Sequence, residues 1–227
     1  MMIGKYSPGA PALRPWDPRA ANVAQMVHTL VAAQLPGVVV EHVGSTAVPG
    51  CDGKGVVDLM VLYPPGTLEA TRAVLDGLGF ERQHARLSFP ETRPLRQGTL
   101  TYDDTPFSLH AHVLAADDDE VTEMRVWREA LRTSTDMRGC YIATKHTVLD
   151  ASPADGTAYA LAKGVFVQNA VWALRAGVPA AALAVYPALP PLPVPAPTRT
   201  HSALVLIDTQ VNMFDPASPV HDAEGLR

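Results

Sequence analysis

A carboxylate in the middle of an apolar strand is costly to bury and must be given partners. Asp58 is such a residue, at the centre of the run GVVDLMVL, Gly55 to Leu62. A second apolar run, Gly37 to Val43, precedes it and ends in Gly44-Ser45-Thr46. Between the two lies a loop with Pro49, Gly50, Asp52 and Gly53. The whole stretch, Glu41 to Val61, reads EHVGSTAVPGCDGKGVVDLMV: two strands joined by small residues. Glycine at 44 lets backbone N–H groups approach an anion with no Cβ in the way. Ser45 and Thr46 add hydroxyls. These are the parts of a phosphate site, and Asp58, projecting from one face of a sheet, is suited to a divalent cation.

A later run, LHAHVL, supplies His110 and His112. A spacing of two on a strand puts both imidazoles on one face. If Asp58 shares that face, three metal-competent groups converge. The plainer alternative for the pair is a half-exposed strand face.

The rest of the chain reads as follows. Residues 1 to 16, rich in Pro and Gly, form an extended lead-in. Asp17-Pro18 starts a helix, with Asp17 as N-cap and Pro18 in the first turn. Val23, Met26, Val27, Leu30 and Val31 keep helical spacing up to Pro36-Gly37. Thr67 caps a second helix that ends near Gly77 and Gly79. Three antiparallel strands are expected over Phe80–Phe89, Gly98–Tyr102 and Phe107–Ala115, the last two joined by a turn at Asp103-Asp104-Thr105-Pro106. The acidic run Asp117 to Glu120 favours a helix N-terminus. Further helices are expected around 137–150 and 154–176, the second with a capping signature at Ser152-Pro153. Residues 178 to 200 are a proline-rich, semi-rigid linker.

Charge narrows the function classes. A formal net charge of -5 argues against non-specific nucleic-acid binding, which needs a basic face. It leaves room for a small basic pocket. Two cysteines, Cys51 and Cys140, make neither a disulfide framework nor a zinc motif, so a reducing cytoplasm is expected. No run approaches the ~20 apolar residues of a membrane span.

The block EHVGSTAVPG…GKGVVDLMV resembles the GrpB family of nucleotidyltransferase-like proteins. Further resemblance follows in order: LHAHVL, then VWREALR around Trp127, Arg128 and Arg132, then Tyr141 and Lys145, then Tyr159-x-x-x-Lys163. It spans roughly residues 5 to 176. The resemblance implies an α+β fold, a nucleotidyltransferase-like mixed sheet flanked by helices. In that superfamily a Gly-Ser pair binds the triphosphate, here Gly44 and Ser45. An acid-x-acid pair on the next strand and a third acid from a later strand hold two magnesium ions.

The sequence departs from that pattern. Asp58 matches the first acid, but Met60 stands at the second, and His110 or His112 occupies the region of the third. Magnesium prefers oxygen, whereas histidine favours manganese, zinc or iron. The expected centre is therefore a single divalent metal (magnesium or manganese, with zinc open) on Asp58, His110 and His112. The expected substrate is a nucleoside triphosphate or another phosphorylated small molecule. Basic groups available to phosphates are Lys54, Arg128, Arg132, Lys145 and Lys163; each has a solvated helix or loop face as its alternative. Arg128 and Arg132 share a helix face and form the better pair. His42 either orients the Gly-Ser loop or is a structural strand-end residue. The function classes in play are a metal-dependent nucleotidyltransferase and a non-catalytic nucleotide- or CoA-related binding module, which Met60 favours.

The C-terminal run ALVLIDTQVNMF resembles the opening of isochorismatase-like cysteine hydrolases. The resemblance makes Asp208 the aspartate of an amidase-type triad whose lysine and cysteine would lie beyond Arg227. The expected organisation is a domain over 1–177, a linker over 178–200, and the start of a second α/β domain over 201–227. In that case the domain over 1–177 is an accessory domain of a hydrolase truncated here; the plainer alternative is that the tail packs on the first domain as an added edge strand.

Overall fold

Strand β2 (Val57–Tyr63) is apolar nearly throughout because both its faces and both its edges are covered. The structure, a computed structural model, describes residues 3–7, 12–84, 88–151, 153 and 156–183. These fall in the first of two units, Met1–Ala188; the second, Leu189–Arg227, lies outside the described residues, and with it Asp208 and the isochorismatase-like pattern.

Beside β2 run β1 (Val39–Val43), antiparallel, and β5 (Thr105–Ala115), parallel. Then come β4 (Leu95–Tyr102) and β3 (Glu81–Arg82), giving the order β1-β2-β5-β4-β3. One face buries Leu59, Val61, Leu109, Ala111 and Val113 against α1 (Arg19–Ala32) and α2 (Leu68–Gly77). Val23, Val27 and Val31 of α1 point inward, as their spacing of four requires. The other face carries a smaller cluster, Val43, Met60, Leu62 and Leu114, packed on Val121 of α3 (Asp119–Thr133). With α4 (Thr135–Asp150) and α5 (Gly156–Arg175), α3 encloses a third cluster around Trp127, Tyr141 and Phe166. The mixed sheet flanked by helices is the expected α+β architecture.

Several local expectations need correction. The strand expected over 80–89 is only Glu81–Arg82: with Arg82 opposite Arg96 and β4 starting at Leu95, the antiparallel register runs out there, and further along the same edge of β4 the N-terminal segment pairs instead, Gly4 bridging Thr99. The lead-in is therefore packed: Ile3 is buried in the main core. The hairpin between β4 and β5 turns on two residues, Asp103 and Asp104, both at positive φ, and Thr105 and Pro106 already belong to β5. α1 begins at Arg19, one residue late, although Asp17 still accepts the Arg19 N–H at 2.9 Å. The Thr67 hydroxyl donates to the Pro64 carbonyl and caps nothing. The expected linker opens with one helical turn, α6 (Ala180–Leu183), after Pro179; residues 184–200 lie outside the described residues, as does Ser152. Among the described residues no helix is long and apolar enough to cross a membrane.

Candidate functional site

Register decides what Asp58 meets. On β5 its partner is His110, which in turn faces Gln97 on β4. In-register neighbours point the same way, so Asp58, His110 and Gln97 form one row across the sheet, and His112 follows two residues along. Asp58 Oδ1 lies 3.5 Å from His110 Nδ1 and 3.8 Å from His112 Nε2. Burial pushes the carboxyl pKa up, but the two imidazoles pull it down further, and it stays well below the usual carboxylate range. It is an anion at neutral pH.

The far nitrogen of His110, Nε2, lies 2.9 Å from the Gln97 amide nitrogen and 3.1 Å from the Tyr6 hydroxyl. An amide nitrogen only donates. With that nitrogen as the Gln97 donor, His110 Nε2 accepts, and a neutral ring carries its proton on Nδ1, on the Asp58 side. Burial, and then the Asp58 charge, raise the Tyr6 pKa, which keeps its proton. Tyr6 and Gln97 carried no sequence signal. Tyr6 comes from the Pro-rich lead-in, and Gln97 is one polar residue in a strand.

Gly44 explains how the acid and the loop can touch. Its φ is +71°, and a Cβ there would run into the Asp58 carboxylate. Glycine is thus required twice, by conformation and by contact. The following turn, Ser45–Ala47, is held from behind: the Thr46 hydroxyl donates to the Val56 carbonyl at 3.1 Å and accepts from His42 Nε2 at 2.9 Å. Burial lowers the His42 pKa to about 4, reinforced by the Arg132 and Arg128 charges and opposed by Asp58. A neutral His42 fits the orienting role.

A centre of two magnesium ions does not fit these residues. Met60 is fully buried at the place of a second acid, and a thioether offers magnesium nothing. Asp58, His110 and His112 do converge, with His110 Nδ1 3.5 Å and His112 Nε2 3.8 Å from Asp58 Oδ1. Among the described residues no group of three or more His, Cys, Asp or Glu is arranged to hold a metal ion.

Next to Asp58 opens a cavity of about 50 Å³. On the loop side its walls are Ser45, Thr46 and the turn from Gly53 to Val56. On the helix side they are Tyr141 and Lys145 of α4, and Tyr159 and Lys163 of α5. Lys145, 2% exposed, donates to Ser45 Oγ at 3.2 Å and to the Asp52 carbonyl, and stands 3.6 Å from Cys51 Sγ. Its ammonium lies over the Tyr141 ring, 4.4 Å from the centroid. Lys54 sits likewise over Tyr159, at 4.8 Å. Lys163 Nζ is 3.4 Å from the Tyr141 hydroxyl. Tyr141 and Asp58 hold the Lys163 pKa up at about 12 against burial. Burial, and then the charge of Lys163, lower that of Lys54. Among the described residues no carboxylate is within ion-pair distance of any of the three.

The structure thus gathers Gly44, Ser45, Thr46, Lys54, Asp58 and Lys145 at one place, with His110 and His112 on the sheet beside them. Arg128 and Arg132 lie elsewhere. Arg128 binds Glu41 and the His42 carbonyl, and Arg132 the Ala47 carbonyl, so both clamp α3 to β1 and the loop.

Comparison with known proteins follows the same outline. The family model described as GrpB protein matches residues 10–172, well over half of the chain. The UPF0157 protein PA4798 of Pseudomonas aeruginosa is 35% identical over 160 residues, which are 67% of this chain and 61% of that protein. The chain thus spans less than two thirds of that relative's length. The crystal structure of conserved protein GrpB from Enterococcus faecalis superimposes with a TM-score of 0.56 at 20% identity, covering 70% of this chain and 93% of that one. The Cid1 poly(U) polymerase aligns with a TM-score of 0.43 at 12% identity, covering 60% and 43%, too weakly to argue from. Loop, strand, histidine pair and helical blocks all fall within the matched residues, and the chain belongs to the GrpB family.

Proposed function

We propose that this chain binds a nucleotide, with the phosphate end in the cavity between the Gly44–Thr46 loop and helices α4 and α5. One observation carries the reading: an anion-compatible glycine-serine turn, three lysines and the Asp58 carboxylate share that cavity. In its finer form the reading is nucleotidyl transfer to an acceptor hydroxyl, with Asp58 and the two histidines beside the reacting phosphate. Met60 favours the alternative, a binding module without transfer chemistry.

Calorimetric titration of the full chain with nucleoside triphosphates tests binding. Saturable binding is expected, and its absence for every nucleotide tried would overturn the proposal. Repeating the titration with manganese tests the expected metal. Tightening that disappears in Asp58→Ala places a cation at Asp58, and no manganese effect removes it from the account. Incubation with α-labelled nucleotide and candidate acceptors separates the two forms, since only a transferase leaves label on an acceptor.

A further inference from the structure

We propose that Lys54, Lys145 and Lys163 hold the terminal phosphates of the ligand without a divalent ion, and that the site selects for the phosphate chain and not for the base. The inference rests on the nucleotide reading and adds to it what is recognised and by what charge.

An ammonium withdrawn from water is costly unless an anion compensates it. Three ammoniums face one cavity here, and no carboxylate pairs with any of them among the described residues. The partners they do have are neutral: Ser45 Oγ and the Asp52 carbonyl for Lys145, the Tyr141 hydroxyl for Lys163, and the Tyr159 ring for Lys54. Those partners aim the ammoniums without neutralising them. Against three positive charges the cavity sets one negative charge, Asp58. A multiply charged phosphate end restores the balance.

Where magnesium bridges phosphates, carboxylates on the protein anchor it. This site has one carboxylate, already flanked by two imidazoles, and a buried Met60 in place of another. The lysines supply the cationic charge that a metal would bring.

A water needs ~10–15 Å³ by this measure, and a pocket enclosing a whole drug-sized ligand has ~300–1,000 Å³. At about 50 Å³ the cavity takes a phosphoryl group and leaves a nucleobase outside. A base outside the cavity is not read by it.

The test is calorimetric titration of the full chain, freed of metal with EDTA, using inorganic triphosphate, ATP, UTP and adenosine. Inorganic triphosphate, ATP and UTP should bind with similar affinity, and adenosine should not bind. Lys163→Met should weaken all three anions about 10- to 100-fold, the scale of one lost hydrogen bond between charged groups. Lys163→Arg should recover part of the loss. Circular dichroism melting of the unliganded variants separates a folding defect from a binding one. If Lys163→Met does not fold, Lys54→Met is read in its place, with the same expected loss. Binding that requires added magnesium or manganese, or that discriminates strongly between ATP and UTP, overturns the inference and leaves the nucleotide reading standing. Binding of inorganic triphosphate with none of ATP or UTP supports the lysine site and overturns the nucleotide reading. Unchanged affinity in Lys163→Met and Lys54→Met overturns the inference whatever the ligand.

Discussion

Two residues show how closely the site and the core are fitted. Gly44 combines a positive φ with an Asp58 carboxylate lying where a Cβ would stand. Gly44→Ala should destabilise the chain by about 1–3 kcal/mol, because the new Cβ strains the backbone and displaces the acid. Denaturant unfolding would show it, and ligand affinity should fall in parallel. Arg96 makes a different case. Its guanidinium is fully buried and held by Asp76 at 2.6 Å and Glu91 at 3.0 Å. Removing both acids leaves a buried charge without a partner, at about 3–5 kcal/mol. Arg96→Met removes the charge as well. It should cost less than the Asp76→Ala, Glu91→Ala double variant in the same unfolding experiment, and the opposite ranking would mean that water reaches the guanidinium. That Asp58 has partners was legible in the sequence, because a lone acid in an apolar run demands them. Tyr6 was not legible, because nothing in a proline-rich lead-in marks the residue whose hydroxyl meets His110.

Among the elements, the coupling of β1 to α3 stands out. Arg125 and Arg128 of α3 both reach Glu41 of β1, and Arg128 also binds the His42 carbonyl. Hydrogen bonds from Arg125 lower the Glu41 pKa below 4.5, burial opposing them. A depressed folded-state value means that stability is present above the unfolded value and is lost as pH falls through the folded one. Stability should therefore drop below about pH 4.5, and Glu41→Gln should flatten that part of the curve. Urea unfolding at stepped pH measures it; an unchanged slope in Glu41→Gln would assign the acid sensitivity to other carboxylates. Sequence reading offered Arg128 and Arg132 as anion ligands because they share a helix face. It could not show that the face turns towards β1, since side-chain periodicity fixes a face but not its neighbour. The parallel pairing of β2 with β5, which sets Asp58 opposite His110, was equally hidden, because long-range register leaves no local mark.

For the whole molecule, the fold brings one mixed sheet and a three-helix cluster together over a single acid. The sheet supplies the carboxylate and the imidazoles, and the helices supply two of the three lysines. Periodicity made the helices and strands readable, and the family resemblance marked Tyr159 and Lys163. The closure of α4 and α5 over the glycine loop depends on packing among Trp127, Tyr141 and Phe166, which only the folded chain displays. On this reading the cavity beside Asp58 binds an anion through its lysines, with Asp58 opposing that anion when no metal is present. The most direct test is the metal-free affinity of the full chain for inorganic triphosphate, wild type against Asp58→Asn. Removing a like charge ~4 Å away is worth about 1 kcal/mol even at the dielectric constant of water, so Asp58→Asn should bind roughly fivefold tighter or more. Weaker binding in Asp58→Asn would contradict the account, because it would make Asp58 a support for the anion and not its opponent.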